Sequence, residues 1–239
     1  PGINIEKCKL SFFLKKYLNK IYTDLDIFYS NYNQNKIITI TGTNGKSTTA
    51  KILYDILKHQ NNDVRLAGNI GNPILLEKNI KKKTIFVIEA SSYQLEYSKL
   101  FKSNISAILN ISPDHLERHK TLGKYINAKF KLIKNQTKND YAILNTNNFY
   151  IKEKLNNKKF LPKIIKVNKP AEYSILKKIN NVYFSTKGNK ENLSIIFEIA
   201  KIFKIKKKNL IEVLKKFKGL KYRQQIIFRS KNLTIINDS

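Results

Sequence analysis

The sequence predicts an α/β fold in which a mostly parallel β-sheet is flanked by helices and carries a phosphate-binding loop (P-loop). Short β-branched runs alternate with longer segments whose apolar residues recur at helical spacing. A glycine-rich turn joins the first of these runs to the first helical segment. The 239 residues, 41% of them hydrophobic, suffice for the core of such a fold. Strands that alternate with helices imply right-handed crossovers and a sheet covered on both faces.

The first half of the chain contains most of the predicted sheet. The first run is β-branched and ends at Gly42, and the helix after it places Ile52, Leu53, Ile56 and Leu57 on one face. The predicted strands lie at residues 37–41, 84–88, 106–111 and 141–144, and the predicted helices at 47–58 and 122–133.

Beyond about residue 150 the pattern changes to β-like pieces followed by helices and two last strands. The β-like pieces lie at 163–167 and 182–185, the helices at 191–203 and 207–217, and the last strands at 224–228 and 233–236. Gly219 is a natural helix stop. Since the chain starts at Pro1, contains no methionine and ends just after a predicted strand, we expect it to be a fragment.

The strong positive charge raises the question of a nucleic-acid partner. The formal net charge is +29, but only four of the 46 basic residues are arginines, which favour bidentate phosphate contacts. The lysines are scattered and accompany abundant Asn and Ile, which indicates a compositional bias of the source. We therefore expect solvated lysine faces and no nucleic-acid partner. A basic nucleic-acid-binding P-loop protein remains the remote alternative.

Cysteine, histidine and hydropathy exclude three further classes. A single cysteine cannot form an internal disulfide, and three histidines with it cannot assemble a Cys/His zinc cluster. No apolar stretch approaches the roughly 20 residues that span a bilayer, and the N-terminus lacks the apolar core of a signal peptide. We expect a cytoplasmic protein without membrane insertion.

The segment between the first strand and helix is typical of a phosphate loop. It reads Thr41-Gly42-Thr43-Asn44-Gly45-Lys46-Ser47-Thr48. Glycines let backbone N–H groups converge, the helix N-terminus favours an anion, Lys46 can reach the β- and γ-phosphates, and Ser47 can ligate Mg²⁺. Only G-x-x-G-K-S of the usual P-loop pattern is present, so a plain strand-to-helix turn is the alternative.

Polar residues follow two more of the predicted strands. Glu89 comes directly after 84–88, and Asn110 and the pair Asp114-His115 follow the strand predicted at 106–111. Because ligands of open α/β sheets bind outside the carboxyl ends of the strands, Glu89 is a candidate Mg²⁺ ligand. The alternatives are a helix-capping acid for Glu89 and an ordinary surface residue for His115.

Six sequence blocks in order resemble the Mur ligase family, over nearly the whole chain. The blocks are Gly42-Thr43-Asn44-Gly45-Lys46-Ser47-Thr48, Gly68-Asn69-Ile70-Gly71, Glu89-Ala90-Ser91-Ser92-Tyr93-Gln94-Leu95-Glu96, Ile108-Leu109-Asn110-Ile111-Ser112-Pro113-Asp114-His115-Leu116-Glu117-Arg118, Tyr125-Ile126-Asn127-Ala128-Lys129 and Asn237-Asp238-Ser239. The shortened phosphate loop is the family's own form.

The resemblance implies ATP-dependent amide synthesis, in which a substrate carboxylate is phosphorylated and an amine displaces the phosphate. It implies catalytic roles for Lys46, His115 and Lys129, with two Mg²⁺ ions in the site. Ser47 and Glu89 would hold the nucleotide Mg²⁺, and His115 the second one. Lys129 would react with CO₂ and help to hold the metals as a carbamate; otherwise a helical lysine on an apolar stripe is most simply a snorkelling surface residue.

The resemblance also implies the substrate contacts. ATP would contact the loop residues Gly42 to Thr48 together with Asn189, Asn192, Arg223 and Asp238, while the muramoyl substrate would contact Asn69, Ser91, Asn110 and His115. Helix capping is the alternative for both Asn189 and Asn192.

Within the family, the likeness is greatest to members that add D-glutamate to UDP-N-acetylmuramoyl-L-alanine. We expect the protein to be a monomer. Another Mur ligase or a folylpolyglutamate synthetase is the alternative, although the latter carries an extra glycine where this chain has Ser47. By this resemblance, residues 1–35 are the tail of an N-terminal UDP-binding domain, 36–219 the central ATP-binding domain, and 220–239 the start of a truncated C-terminal domain.

Overall fold

A six-stranded parallel sheet forms the centre of the molecule. The structure is a computed structural model that describes residues 5–169, 173–221, 225–230 and 233–237. The strand order is β2-β3-β1-β4-β5-β6, and every neighbouring pair is parallel. The strands are β1 Lys36–Thr41, β2 Val64–Gly68, β3 Ile85–Glu89, β4 Ile105–Ile108, β5 Tyr141–Asn145 and β6 Lys163–Val167. The mostly parallel sheet predicted from the sequence is confirmed.

Helices cover both faces of this sheet. They are α1 Ser11–Lys16, α2 Asp24–Tyr32, α3 Lys46–His59, α4 Ser92–Tyr97, α5 Leu116–His119, α6 Leu122–Lys134, α7 Phe149–Asn156, α8 Tyr173–Ile179, α9 Lys187–Ile202 and α10 Lys207–Lys216. Among the described residues, none of these helices combines the length and apolar character that crossing a membrane requires.

The central strand β1 contributes to the core on both faces. Ile38 and Ile40 are fully buried on the side of α3, α9 and α10, whereas Ile37 packs on the other side with Phe28 and Phe86. A strand buried on both faces reads as a continuous apolar run, which is why its sequence signal is strong. Each buried isoleucine stabilises the fold by roughly 1.5–3 kcal/mol relative to an exposed one.

The β-like prediction at 182–185 is wrong. Val182–Phe184 is a single 3₁₀ turn, and the Asn181 side chain accepts a hydrogen bond from the Tyr183 N–H at 3.0 Å. The Asn181 amide also donates to the carbonyls of Leu214 at 2.8 Å and Phe217 at 2.7 Å. β-branched and aromatic residues predict a strand by composition, but here they pack beside α10 instead of pairing.

Two further boundaries differ from the predictions. The helix predicted from residue 191 begins at Lys187, because the Thr186 hydroxyl caps it by accepting the Asn189 N–H at 3.3 Å. The strand predicted over 106–111 ends at Ile108. The residues after it form hydrogen bonds with the phosphate loop instead of continuing the strand.

Helix α2 was missed by the sequence analysis, since a distant segment holds it in place. The buried Asp26 carboxylate accepts the Thr23 N–H at 3.0 Å. Its other oxygen accepts the Ser98 hydroxyl and three backbone N–H groups of residues 99–101, all at 2.8–2.9 Å. Burial alone would raise the pKa of Asp26, but hydrogen bonds from the N–H groups of Thr23, Phe101 and Lys99 and from the Ser98 hydroxyl outweigh it and lower the pKa.

The last two strands form a separate antiparallel pair. They are β7 Gln225–Arg229 and β8 Thr234–Asn237, which pair with each other and not with the six-stranded sheet. Both predicted strands, at 224–228 and 233–236, are therefore confirmed to within a residue at each end.

Candidate active site

The phosphate loop lies where the connections of the sheet diverge. β1 leads through α3 to β2 at one edge, whereas its neighbour β4 leads through α5 and α6 to β5 on the other side. Such a switch point leaves a crevice at the carboxyl ends of the strands, and ligands of open α/β sheets bind there. The candidate site therefore lies between the ends of β1 and β4.

Gly45 starts helix α3 in a conformation that favours glycine. Its φ is +79°, in the left-handed region, and a Cβ at this position would collide with the side-chain amide of Asn192 on α9. The loop and α9 are thus in contact, which brings the predicted ATP ligand Asn192 to the phosphate loop. The buried Ser47 lies in the first turn of α3.

Side-chain donors engage three consecutive carbonyl oxygens of the loop. Lys129 Nζ donates to the Gly42 oxygen at 2.8 Å, and Lys46 Nζ donates to the Thr43 oxygen at 2.7 Å. Asn110 Nδ2 donates to the Asn44 oxygen at 3.0 Å. These three carbonyl oxygens already accept hydrogen bonds. An anion that approaches the loop would therefore meet the backbone N–H groups at the start of α3.

Lys129 is a buried amine beside this loop. Its side chain on α6 is 1% exposed, and Nζ lies 4.5 Å from the centre of the Tyr125 ring. Burial, followed by the charge of Lys46, lowers the pKa of Lys129 to about 7. The snorkelling alternative is therefore wrong, and a substantial fraction of the amine is uncharged near neutral pH.

Glu89 ends β3 and is equally buried. It pairs in register with Ile40 of β1, the second residue before the loop. Oε1 accepts a hydrogen bond from the Asn69 amide at 3.3 Å, while Oε2 has no hydrogen-bond partner in the described part of the chain. A buried carboxylate oxygen without a donor is costly unless a cation offsets its charge. Ser91 caps α4, so the helix-capping alternative for Glu89 is wrong.

His115 is the most exposed of the three predicted catalytic residues. It lies before α5 with a φ of +54°, and its ring is tilted by 51° against the Tyr93 ring, with the ring centres 4.9 Å apart. Nε2 lies 3.5 Å from a carboxylate oxygen of Asp114, and Nδ1 lies 3.8 Å from one of Glu117. The ring is accessible to a ligand and lies next to acidic groups.

The other predicted ligands have structural partners of their own. The Ser91 hydroxyl accepts the Gln94 N–H at 3.2 Å, and the exposed Asn69 donates to Glu89. Asn189 Nδ2 donates to the backbone carbonyl oxygen of Tyr183 at 2.7 Å. Helix α9 is capped by Thr186 and not by either asparagine. The helix-capping alternative for Asn189 and Asn192 is therefore wrong.

The structure leaves part of the predicted site unassigned. Arg223 and Asp238 lie outside the described residues. Among the residues that are described, no three His, Cys, Asp or Glu side chains are grouped closely enough to hold a metal ion. The predicted metal set combines a hydroxyl, a carboxylate, an imidazole and a carbamate, so it does not depend on such a group.

Two tyrosines at the site were not singled out from the sequence. The Tyr125 hydroxyl lies 3.1 Å from the Thr43 hydroxyl, and burial raises the pKa of Tyr125 to about 12. The Tyr183 hydroxyl lies 3.2 Å from that of Thr48. Tyr125 precedes Lys129 by one helical turn, and this spacing was the available signal. No local pattern links Tyr183 to the loop.

The chain matches a family model for most of its length. Residues 40–213 match the Mur ligase middle domain. The match begins at Ile40, next to the phosphate loop, and includes every predicted site residue except Arg223 and Asp238.

Two curated relatives carry the same name. The chain is 33% identical over 256 residues to the UDP-N-acetylmuramoylalanine–D-glutamate ligase of Rickettsia felis, covering 100% of this chain and 56% of that protein. It is 38% identical over 240 residues to the ligase of the same name from Fusobacterium nucleatum, covering 92% of this chain and 55% of that protein. The chain therefore spans about half the length of the curated relatives it matches.

Solved structures share the fold. MurF from Acinetobacter baumannii aligns with a TM-score of 0.69 and 18% identity, covering 90% of this chain and 53% of that one. MurF ligase from Thermotoga maritima, in complex with ADP, aligns with a TM-score of 0.64 and 15% identity, covering 93% and 56%. At such identities the likeness establishes the architecture alone.

Proposed function

This chain belongs to the Mur ligase family, and from that premise we propose that it is the ATP-binding part of a ligase of peptidoglycan precursor synthesis. The complete protein would add D-glutamate to UDP-N-acetylmuramoyl-L-alanine through an acyl phosphate. We further propose that it acts in the cytoplasm, as a monomer and without a nucleic-acid partner.

The observation that carries the proposal is the buried Glu89 carboxylate beside the phosphate loop. Its backbone register on β1 holds it at the carboxyl edge of the sheet, and one of its oxygens lacks a donor among the described residues. Together with the buried Ser47, it fits the nucleotide Mg²⁺. When bound, Mg²⁺ supplies positive charge against the triphosphate and the incoming carboxylate.

The loop residues bind and orient the nucleotide in this proposal. Residues 45–48 present backbone N–H groups at the positive end of α3, and Lys46 exchanges its bond to the Thr43 oxygen for the γ-phosphate. Asn192 lies against the loop from α9 and Asn189 precedes it by one turn, which supports their assignment to the ATP site. Asn69, Ser91 and His115 would meet the muramoyl substrate.

Lys129 fits a carbamate. Only an uncharged amine attacks CO₂; the new N–C bond forms as the amine loses a proton, and a carbamate anion results. A pKa of about 7 makes that amine available near neutral pH. The cations of this site, Lys46 and the proposed Mg²⁺, would then face an anion in place of a buried ammonium group.

The reaction consists of a phosphoryl transfer followed by amide formation, and neither step needs a nucleophilic side chain of the protein. An oxygen of the substrate carboxylate bonds to the γ-phosphorus while the bond to ADP breaks. The amine of D-glutamate then bonds to the acyl carbon, phosphate leaves, and the amine loses its proton. Lys46 offsets the negative charge that develops on the transferred phosphoryl group.

Nucleotide binding by this chain can be measured directly. Calorimetric titration with Mg-ATP is expected to show binding that Lys46→Ala weakens at least about tenfold, or 1.4 kcal/mol. Lys51→Ala is the matched control, because it removes the same charge from the same helix where Lys51 pairs with Asp55. Equal affinity of the wild type and Lys46→Ala would refute the proposed loop function.

The acceptor is identified with the complete protein that contains this chain. Phosphate release from ATP in the presence of UDP-N-acetylmuramoyl-L-alanine is expected to depend on D-glutamate, and not on L-glutamate, L-alanine or a diamino acid. If another acceptor substitutes for it, the ligase assignment stands and the D-glutamate assignment is wrong.

A further inference from the structure

Asn110 bonds to two consecutive residues of the phosphate loop. Its side-chain oxygen accepts the Asn44 N–H at 2.8 Å, and its side-chain nitrogen donates to the Asn44 carbonyl at 3.0 Å. Its backbone carbonyl accepts the Thr43 N–H at 2.9 Å. Both ends of the carboxamide are therefore used on a single residue of the loop.

These bonds extend the pairing of β1 with β4 beyond the ends of both strands. Leu109 N donates to the Thr41 oxygen at 3.0 Å, and Ser112 N donates to the Thr43 hydroxyl at 3.0 Å. The two segments also lie in close contact, since a Cβ on Gly42 would lie 3.0 Å from that of Leu109. The first half of the loop thus follows the path of the chain that leaves β4.

The bonds of Asn110 divide the donors of the loop into two groups. The N–H groups of Thr43 and Asn44 donate hydrogen bonds to Asn110. The first helical hydrogen bond of α3 runs from the Thr49 N–H to the Gly45 carbonyl oxygen at 3.0 Å. The N–H groups of Ser47 and Thr48 therefore have no acceptor inside α3. Asn110 fixes the peptide immediately before Gly45. It therefore determines the orientation in which the remaining donors meet a phosphate.

We propose that Asn110 is a positioning residue of the ATP site, acting through Asn44, and not a ligand of the muramoyl substrate. This inference rests on the proposed function and assigns Asn110 to the nucleotide half of the reaction. Loss of its carboxamide frees the Asn44 peptide to turn, so that the loop reaches the phosphate-binding conformation only in a fraction of molecules.

Asn104 provides a matched control at the other end of the same pair of strands. Its side-chain oxygen accepts the Ile37 N–H at 2.8 Å, so Asn104→Ala also removes an asparagine bond between the β4 and β1 segments. Asn110→Ala and Asn104→Ala are compared in thermal unfolding, in Mg-ATP titration of this chain, and in steady-state kinetics of the complete protein. Asn110→Leu, which retains the side-chain volume, repeats the test if Asn110→Ala does not fold.

The expected result is a split between the two substrates. Removing the two side-chain bonds of Asn110 should raise the Kd and KM for Mg-ATP about tenfold, and the KM for UDP-N-acetylmuramoyl-L-alanine less than about twofold. Asn104→Ala should leave both KM values near those of the wild type. Faster hydrogen exchange at the Asn44 amide should accompany the loss in the Asn110 variants.

Three outcomes overturn the inference. A raised KM for the muramoyl substrate with unchanged ATP binding makes Asn110 a substrate ligand. Equal effects of the Asn104 and Asn110 variants make it a structural residue only. Failure of the wild type itself to bind Mg-ATP refutes the proposed function, and this inference with it.

Discussion

Two buried carboxylates, Asp26 on α2 and Glu89 at the end of β3, differ in how completely they are hydrogen-bonded. Both residues are 1% exposed. Asp26 accepts bonds from Thr23 and from the segment 98–101, whereas Glu89 accepts one bond of 3.3 Å from Asn69 and leaves Oε2 without a donor among the described residues. A fully bonded carboxylate stabilises the fold, while an incompletely bonded one is suited to a cation.

Helix α4 connects these two regions. Its first turn follows Glu89 by three residues, and the segment after its last residue supplies the four donors to one Asp26 oxygen. A short helix therefore has a site for chemistry at one end and an anchor at the other. The comparison predicts that substitutions at the two ends affect different measurements.

The largest effect on stability is expected at the anchor. Asp26→Ala leaves several buried N–H groups without an acceptor and should lower the free energy of unfolding by roughly 3 kcal/mol or more. Urea denaturation measures this loss, with Asp55→Ala as the control at a partly exposed carboxylate that accepts no backbone N–H groups among those described. Mg-ATP affinity of the folded fraction should not change; a selective loss of affinity would contradict the division between the two regions.

The pH dependence of the anchor has a definite sign. Because the pKa of Asp26 is lowered in the folded chain, its contribution is present above the usual pKa of aspartate and is lost as the pH falls through the lowered value. Asp26→Asn should flatten this part of the acid-unfolding curve. An unchanged curve would show that other carboxylates control the acid transition.

The next effect concerns Lys129, whose lowered pKa makes stability rise with pH in a more alkaline range than that of Asp26. The folded chain has a pKa of about 7 at Lys129, against about 10.4 in an unfolded chain. Between these values the unfolded chain binds more protons, so the free energy of unfolding rises with pH. Urea denaturation from neutral to alkaline pH in CO₂-free buffer should show this rise in the wild type. Lys129→Met should lack it, and equal slopes would contradict the burial of a charged amine.

Glu89→Gln should separate metal binding from stability. Glutamine keeps the oxygen that accepts from Asn69 and removes a buried negative charge, so the free energy of unfolding should stay equal or rise. Mg²⁺-dependent binding of ATP should weaken at least about tenfold, or 1.4 kcal/mol. Calorimetry with and without Mg²⁺ measures this affinity. A variant that is destabilised but binds Mg-ATP normally would show that Glu89, like Asp26, serves the stability of the fold and not metal binding.

The smallest effect is expected at Ser91, which caps α4 and is also a predicted contact of the muramoyl substrate. The Ser91 hydroxyl caps α4, and its loss in Ser91→Ala should cost about 1 kcal/mol of stability. Ser91→Asn retains a capping side chain with a different shape. If Ser91 also contacts the muramoyl substrate, Ser91→Asn should restore stability but not the KM for that substrate.

The phosphate loop could be predicted from local sequence, and the anchor could not. A β-branched strand, a glycine turn and a periodic helix lie within about two dozen consecutive residues, so β1, the loop and α3 all carry their own signal. Helix α2 is held by a segment more than seventy residues later in the chain, a partner that no local pattern reveals. The strand predicted at 182–185 failed because the contacts of Asn181 override composition.

The chemistry of individual side chains was predictable only in part. Periodicity placed Lys129 on an apolar stripe, and the family resemblance alone favoured a buried function over a snorkelling one; its burial bears out neither the carbamate nor the metals. Two features depend on the relative positions of three strands: the Glu89 oxygen that has no donor among the described residues, and the attachment of Asn110 to Asn44. Residue identity cannot specify such positions.

The place of β1 in the sheet has a consequence for local unfolding. β1 is hydrogen-bonded on both sides, to β3 and β4, and its apolar side chains are buried on both faces. Opening the β1 amides to solvent requires separation of both neighbours, so their exchange with deuterium should approach the rate set by global unfolding, whereas those of the edge strand β6 exchange sooner. The phosphate loop is thus attached to the part of the sheet expected to exchange most slowly, and partial unfolding at the edges should leave its base intact.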